Sequence, residues 1–245
     1  MSIDEAAETA AVACRDLGRR YGAGDTAVDA LRGVTVGLAQ GTFTAIMGPS
    51  GSGKSTLMHL LAGLDRPTEG QVWLGGTYLG DLDDVHVTRM RRTRVGFVFQ
   101  AFNLLPVLTA EENILLPVRI AGEHVDREWL ETLLAAVELA DRRRHRPAEL
   151  SGGQQQRVAI ARALMTKPAV VFADEPTGNL DSAAGEVVLD LLRTAVDRFG
   201  QTVVVVTHDQ RAAARADRIL FLSDGLVVRD SGRMSQAQIL DALKR

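Results

Sequence analysis

Residues 48–55 read Gly-Pro-Ser-Gly-Ser-Gly-Lys-Ser and fit the pattern G-x-x-x-x-G-K-[ST]. The glycines Gly48, Gly51 and Gly53, with Pro49, Ser50 and Ser52 among them, let backbone N–H groups turn inward around phosphate oxygens. A helix opening at Lys54 adds the partial positive charge of its N-terminus. Lys54 is then placed to reach β- and γ-phosphates, and the Ser55 hydroxyl to ligate Mg²⁺. A second cluster closes the apolar run Ala-Val-Val-Phe-Ala of residues 169–173 with Asp174 and Glu175. Mg²⁺ on phosphates commonly takes one or two carboxylates, which suits Asp174. Glu175 is placed to polarise an attacking water, as a base within hydrogen-bond reach does. An acid pair ending a strand can also face solvent, but a phosphate loop in the same chain favours the metal-and-water reading. The loop points to a nucleotide phosphate.

Such groups need rigid elements to place them. Residues 42–47 form a β-rich run before the loop, and residues 54–62 have helical composition up to a stop at Gly63. Further strands are predicted at 71–74, 95–99, 169–173, 202–206 and 218–222, with helices at 182–199 and 210–216. Continuous apolar strands alternating with helices imply a parallel sheet buried on both faces, whose carboxyl ends collect ligands. Short β-like pieces with glycine turns fill residues 10–38, and residues 225–230 read as a last strand. Between about 101 and 164, apolar residues recur at helical spacing (Leu130, Leu133, Leu134, Val137), which predicts a mostly helical insert. Residues 1–9 read as a flexible tail, and residues 236–243 as a docking helix whose Ile239, Leu240 and Leu243 pack on the sheet.

Composition sets the bounds. With 245 residues, 46% apolar and 24% charged, the chain can bury a sizeable core as one domain. Cys14 stands alone, which excludes a disulfide framework and a cysteine metal site. Aromatics at 4% and a net charge of −3 argue against a nucleic-acid partner. No apolar stretch approaches the ~18–20 residues of a membrane helix, and the acidic start lacks the features of a signal peptide. The expectation is a soluble cytoplasmic protein that reaches a membrane, if at all, through a partner. His59, His86, His124 and His145 show no metal-ligand spacing. The arginines Arg89, Arg91, Arg92 and Arg94, and Arg142, Arg143, Arg144 and Arg146, read most simply as solvated faces. Contact with anionic headgroups is the alternative.

Leu150-Ser151-Gly152-Gly153-Gln154-Gln155-Gln156-Arg157 resembles the LSGGQ signature of the ABC ATPases, and the resemblance runs from about residue 12 to 243. It implies an α/β fold: a P-loop NTPase of ABC type, with a mostly parallel sheet core, an antiparallel β subdomain and a helical subdomain inserted in a RecA-like core. The whole chain, 1–245, is then a single ABC ATPase domain. By the same resemblance Tyr21 stacks on adenine (otherwise a plain sheet aromatic), and Thr56 joins the phosphate loop. Gln100 touches Mg²⁺ and the attacking water and borders the membrane partner. Asn179-Leu180-Asp181 crosses to the other subunit, and His208, in Thr207-His208-Asp209, contacts the γ-phosphate. Catalysis would fall to Glu175, His208 and Gln100, and Mg²⁺ to Ser55, Gln100 and Asp174. The resemblance further implies a head-to-tail homodimer in which each ATP lies between one subunit's Lys54 loop and the other's Ser151, Gly152, Gly153 and Gln154. A hydroxyl and glycines opening a helix make a second backbone anion site. Such a dimer stays closed only while the γ-phosphate remains.

Residues 99–113 and 47–56 look like the subgroup of lipoprotein-releasing, macrolide-exporting and cell-division (FtsE-type) ATPases. There the integral membrane partner often has four spans and a large external domain. The implied role is the ATP-hydrolysing subunit of a bacterial ABC membrane complex, peripheral on the cytoplasmic face of the inner membrane, powering export or mechanotransmission. A soluble ABC ATPase acting on ribosomes or DNA is the alternative, disfavoured by one domain, no heptad insert and no basic face. A switch without turnover is disfavoured by Glu175, His208 and Gln100.

Overall fold

The computed structural model describes residues 10–244, so the tail expected over residues 1–9 lies outside the described residues. Among the described residues ten strands run in chain order: β1 (Ala10–Tyr21), β2 (Val28–Ala39), β3 (Phe43–Met47), β4 (Glu69–Leu74), β5 (Thr77–Tyr78), β6 (Val95–Phe99), β7 (Val170–Asp174), β8 (Val203–Val206), β9 (Arg218–Ser223) and β10 (Leu226–Gly232). The helices are α1 (Lys54–Leu61), α2 (Asp84–Arg94), α3 (Ala110–Ala121), α4 (Arg127–Ala136), α5 (Gly152–Leu164), α6 (Ser182–Phe199), α7 (Gln210–Ala214) and α8 (Gln236–Leu243).

The central sheet has the order β10-β9-β3-β8-β7-β6. Five of its strands, from β9 to β6, are parallel, and β10 closes one edge antiparallel to β9. A second, antiparallel sheet has the order β2-β1-β4-β5. These are the parallel core and β subdomain expected of the ABC type.

The short apolar strands are buried because successive side chains enter different cores, as a period of two dictates. Phe43, Ala45, Val171, Ala173, Val203 and Val205 join one cluster, which α3 to α8 cover. Ile46, Val170, Phe172, Val204 and Val206 join the other, where Leu57, Met58, Leu60 and Leu61 of α1 meet the antiparallel sheet. With helices or a sheet on both faces, the strands carry no polar side and no alternating pattern.

Three helices occupy residues 110–164. Thr109 and Glu112 form a capping box that opens α3. Buried Asn113 bonds the backbone of Leu105, Leu108 and Thr109, fastening the chain that descends from Gln100. The last of the three, α5, packs on β6, α3 and α6.

Two local features differ from the sequence reading. Residues 84–94 form α2, a helix with no fully buried residue, capped by Asp83 through the His86 N–H. An arginine-rich segment without an apolar stripe gives no periodic signal, yet this helix still packs against α3 and β6. At the C-terminal end, α8 docks on α7, and of its three residues expected to pack on the sheet only Ile239 enters the core cluster that the sheet shares. Only Ile239 is buried there, while Leu240 and Leu243 are 42% and 39% exposed.

Candidate active site

The phosphate loop leaves β3 and enters α1, and its shape demands glycine. At Gly53, where φ is 101°, a Cβ would stand 2.4 Å from the Ala30 carbonyl oxygen. At Gly48 a Cβ would stand 2.1 Å from the Leu222 carbonyl oxygen. Lys54 spans the loop: its Nζ donates to the carbonyls of Gly48 at 2.9 Å and Pro49 at 2.8 Å. Ser52 Oγ is buried with no hydrogen-bond partner. The Pro49 carbonyl also accepts the Ser52 N–H, at 3.3 Å, tightening the turn. Ser50, Gly51 and Ser55 are exposed, and Thr56 is half-buried.

Parallel pairing sets Asp174 of β7 opposite Val206 of β8, so the residues that follow the two strands come abreast. Burial lowers the Lys54 pKa from its ordinary value, against the pull of Glu175 and Asp174. Burial and then Glu175 raise that of Asp174, against His59 and Lys54. One electrostatic field joins the loop to the end of β7.

Glu175 has a φ of 45°, in the left-handed region that a non-glycine residue enters at a cost. Its N–H donates to the Val206 carbonyl at 2.9 Å. Both carboxylate oxygens are held. Oε2 accepts from the Thr207 hydroxyl at 3.1 Å; Oε1 accepts from the His208 N–H at 3.2 Å and stands 2.7 Å from His208 Nδ1. Thr207 is fully buried, and its Oγ1 also accepts the Asp209 N–H at 2.9 Å. The sequence reading missed this hydroxyl, because Thr207 ends a β-branched run and looks like one more strand residue.

Gln100, exposed just past β6, donates from Nε2 to Asn179 Oδ1 at 2.9 Å, and Asn179 Nδ2 donates to the Gln100 carbonyl at 3.1 Å. Asp181 caps α6 through the Ala184 N–H at 2.9 Å. The structure thus brings Lys54, Asp174, Glu175 and His208 into one cluster, with Gln100 tied to the 179–181 segment.

Ser151, Gly152, Gly153 and Gln154 stand apart. Ser151 opens α5 in a capping box with Gln154, using bonds of 2.9 and 3.3 Å. Among the described residues no hydrogen bond or ion pair joins this turn to the 48–56 loop. Tyr21 ends β1, its hydroxyl donating to Asp65 Oδ2 at 3.0 Å and its ring 4.5 Å from the Arg19 guanidinium. Of the arginine runs, Arg143 is fully committed within the chain: it bonds Glu111 at 2.7 Å and Glu131 at 2.7 and 3.1 Å, tying α3 to α4.

The profile of the family described as ABC transporter matches residues 31–178. The ABC transporter ATP-binding protein MJ0796 of Methanocaldococcus jannaschii is 47% identical over 223 residues, which cover 88% of this chain and 94% of that one. The macrolide export ATP-binding/permease protein MacB of Hyphomonas neptunium is 47% identical over 225 residues, 91% of this chain and 35% of the relative. The chain therefore spans about a third of the MacB length. Among solved structures, dimeric MJ0796 in a post-hydrolysis state with ADP and Pi superimposes with a TM-score of 0.81 at 43% identity, over 91% of this chain and 99% of that one. Profile, identity and fold agree that the chain belongs to the ABC transporter family, as an ATP-binding cassette with an ATPase site.

Proposed function

We propose that the chain hydrolyses Mg²⁺-ATP in a site that two copies complete, and that the resulting motion drives a membrane partner. The observation that carries this reading is the Glu175 carboxylate, held on both oxygens at the head of β7 beside His208.

The residues present fit a Mg²⁺-nucleotide. A buried serine hydroxyl lacks a partner, the loop closes where a Cβ would collide, and Ser55 with Asp174 offers the hard oxygen donors this cation takes. Ser55 and Asp174, with Gln100, would hold Mg²⁺, which would supply neutralisation of the charge on the phosphate oxygens. Lys54 exchanges its two carbonyl partners for β- and γ-phosphate oxygens. Tyr21, steadied by Asp65 and Arg19, offers a ring to adenine. Glu175 accepts a proton from water as it attacks, while His208 presents its ring to the γ-phosphate. Hydrolysis by purified chain tests the assignment. Glu175→Gln is expected to cut kcat about a hundredfold or more with ATP binding retained, and wild-type turnover in that variant would refute it.

The Ser151 turn makes no bond to its own chain's phosphate loop, which supports its use by the second copy in a head-to-tail dimer. An apolar groove of about 460 Å³, lined by Phe97, Phe99, Leu116, Pro117 and Ile120 together with Arg91 and Arg92, supports docking of a membrane partner on the face that Phe99, the residue before Gln100, helps to form. Among the described residues no helix is long and apolar enough to cross a membrane, so attachment to the cytoplasmic face would run through that partner. Within the lipoprotein-release, macrolide-export and cell-division subgroup we place a four-span partner with a large external domain. Recovery of Glu175→Gln from native membranes with ATP is expected to bring that partner along; ribosomal or DNA-repair proteins in its place would overturn the membrane reading.

A further inference from the structure

Gln156 sits in the second turn of α5 and is fully buried. Its Nε2 donates to two backbone carbonyls, Phe99 at 3.3 Å and Pro176 at 2.6 Å. Only the nitrogen end of an amide can donate to a carbonyl, so the partners fix its orientation. The other end, Oε1, is buried with no hydrogen-bond partner. A buried acceptor left unpaired is uncommon and costs stability. An apolar side chain of similar length would avoid that cost, so packing alone does not account for glutamine here.

The two carbonyls do account for it. Phe99 immediately precedes Gln100, and Pro176 immediately follows Glu175. Glu175 holds a left-handed backbone directly before a proline, a position whose conformations are already restricted. Its own N–H is tied to Val206, its carbonyl accepts from the Gly178 N–H, and the carbonyl of the following Pro176 accepts from Gln156. The Gln156 donor thus joins three segments: the turn opened by Ser151, the end of β6 and the exit from β7.

We propose that Gln156 is a positioning residue, which sets Gln100 and Glu175 relative to the Ser151 turn so that a shift of α5 reaches both. The proposal rests on the reading of Glu175 as the water-polarising group. Gln156→Met keeps the length and removes the donor. Gln156→Glu keeps the shape and supplies one donor only while the introduced carboxyl is protonated, the form that burial favours.

In steady-state hydrolysis by the full chain, Gln156→Met is expected to lower kcat about tenfold or more, with KM for ATP within about twofold of wild type. Gln156→Glu is expected to keep more activity at low pH and to lose it as the carboxyl ionises, a pH profile that wild type lacks. Circular-dichroism melts report folding; if Gln156→Met does not fold, the Gln156→Glu profile carries the test. Wild-type kcat in a folded variant, or equal loss of kcat and nucleotide affinity with a flat pH profile, would overturn the proposal. Glu175→Gln run alongside separates the two ideas. If it abolishes turnover while the Gln156 variants do not, only the positioning role falls; if it keeps turnover, both fall.

Discussion

At the scale of single residues, the proposed chemistry rests on Glu175 and on the Thr207 hydroxyl that holds it. A left-handed non-glycine backbone costs roughly 1–3 kcal/mol and persists only where neighbours enforce it. The neighbours here are the Val206 carbonyl, the Thr207 hydroxyl and the His208 N–H. Thr207→Val removes one grip without changing shape, and about a tenfold loss of kcat at unchanged ATP affinity is expected, with Thr207→Ser close to wild type. An unchanged kcat in Thr207→Val would show the hydroxyl to be structural only. Lys54→Ala removes a charged donor, so ATP affinity measured by calorimetry should fall tenfold or more. Unaltered affinity would contradict the phosphate cradle. Asp174 adds a stability test. Burial and Glu175 raise its pKa above the ordinary carboxylate value, so the folded chain binds this proton more tightly than the unfolded one. Stability is therefore lost as pH rises from the unfolded value through the folded one. Asp174→Asn should melt at a higher temperature than wild type without nucleotide while losing hydrolysis, an exchange of activity for stability.

At the scale of elements, parallel register does the positioning, and Asp217 shows how the strands are anchored. Its carboxylate accepts from the Phe43 N–H at 2.9 Å, Arg193 at 2.9 Å and Arg233 at 2.6 Å. Although burial opposes ionisation, these donors hold its pKa below the ordinary value. The contribution is present above the unfolded carboxylate pKa and is lost as pH falls through the folded one. Asp217→Asn should cost about 2 kcal/mol at neutral pH and flatten the acid limb of melting temperature against pH. A parallel acid limb in the variant would assign the effect elsewhere. The sequence displayed the elements that carry their own signal: the loop at 48–55, the apolar run ending in Asp174 and Glu175, and the strand ending at Val206. It concealed α2, whose side chains leave no apolar stripe, and the dock of α8, which depends on where α7 lies. Thr207 and Gln156 were illegible for a different reason: the Glu175 carboxylate and the Phe99 and Pro176 carbonyls that they hold are distant in sequence, and no spacing encodes those.

For the whole molecule, the proposed reading makes one chain half of a site. One chain gathers Lys54, Asp174, Glu175 and His208, yet holds its Ser151 turn apart, capped by its own Gln154. On the proposed reading, an ATP bound to one loop would supply negative charge for the half-buried first turn of a second copy's α5, which would link closure to the nucleotide and release to hydrolysis. Two chains whose closure depends on the two ATP molecules should separate when the γ-phosphate is lost. The most direct test is the mass of Glu175→Gln by size exclusion with light scattering, with and without millimolar ATP. A doubling of mass with ATP, reversed by adding Ser151→Glu to the same chain, is the expected result. A monomer at saturating ATP, or a dimer indifferent to the Ser151 change, would contradict the composite site.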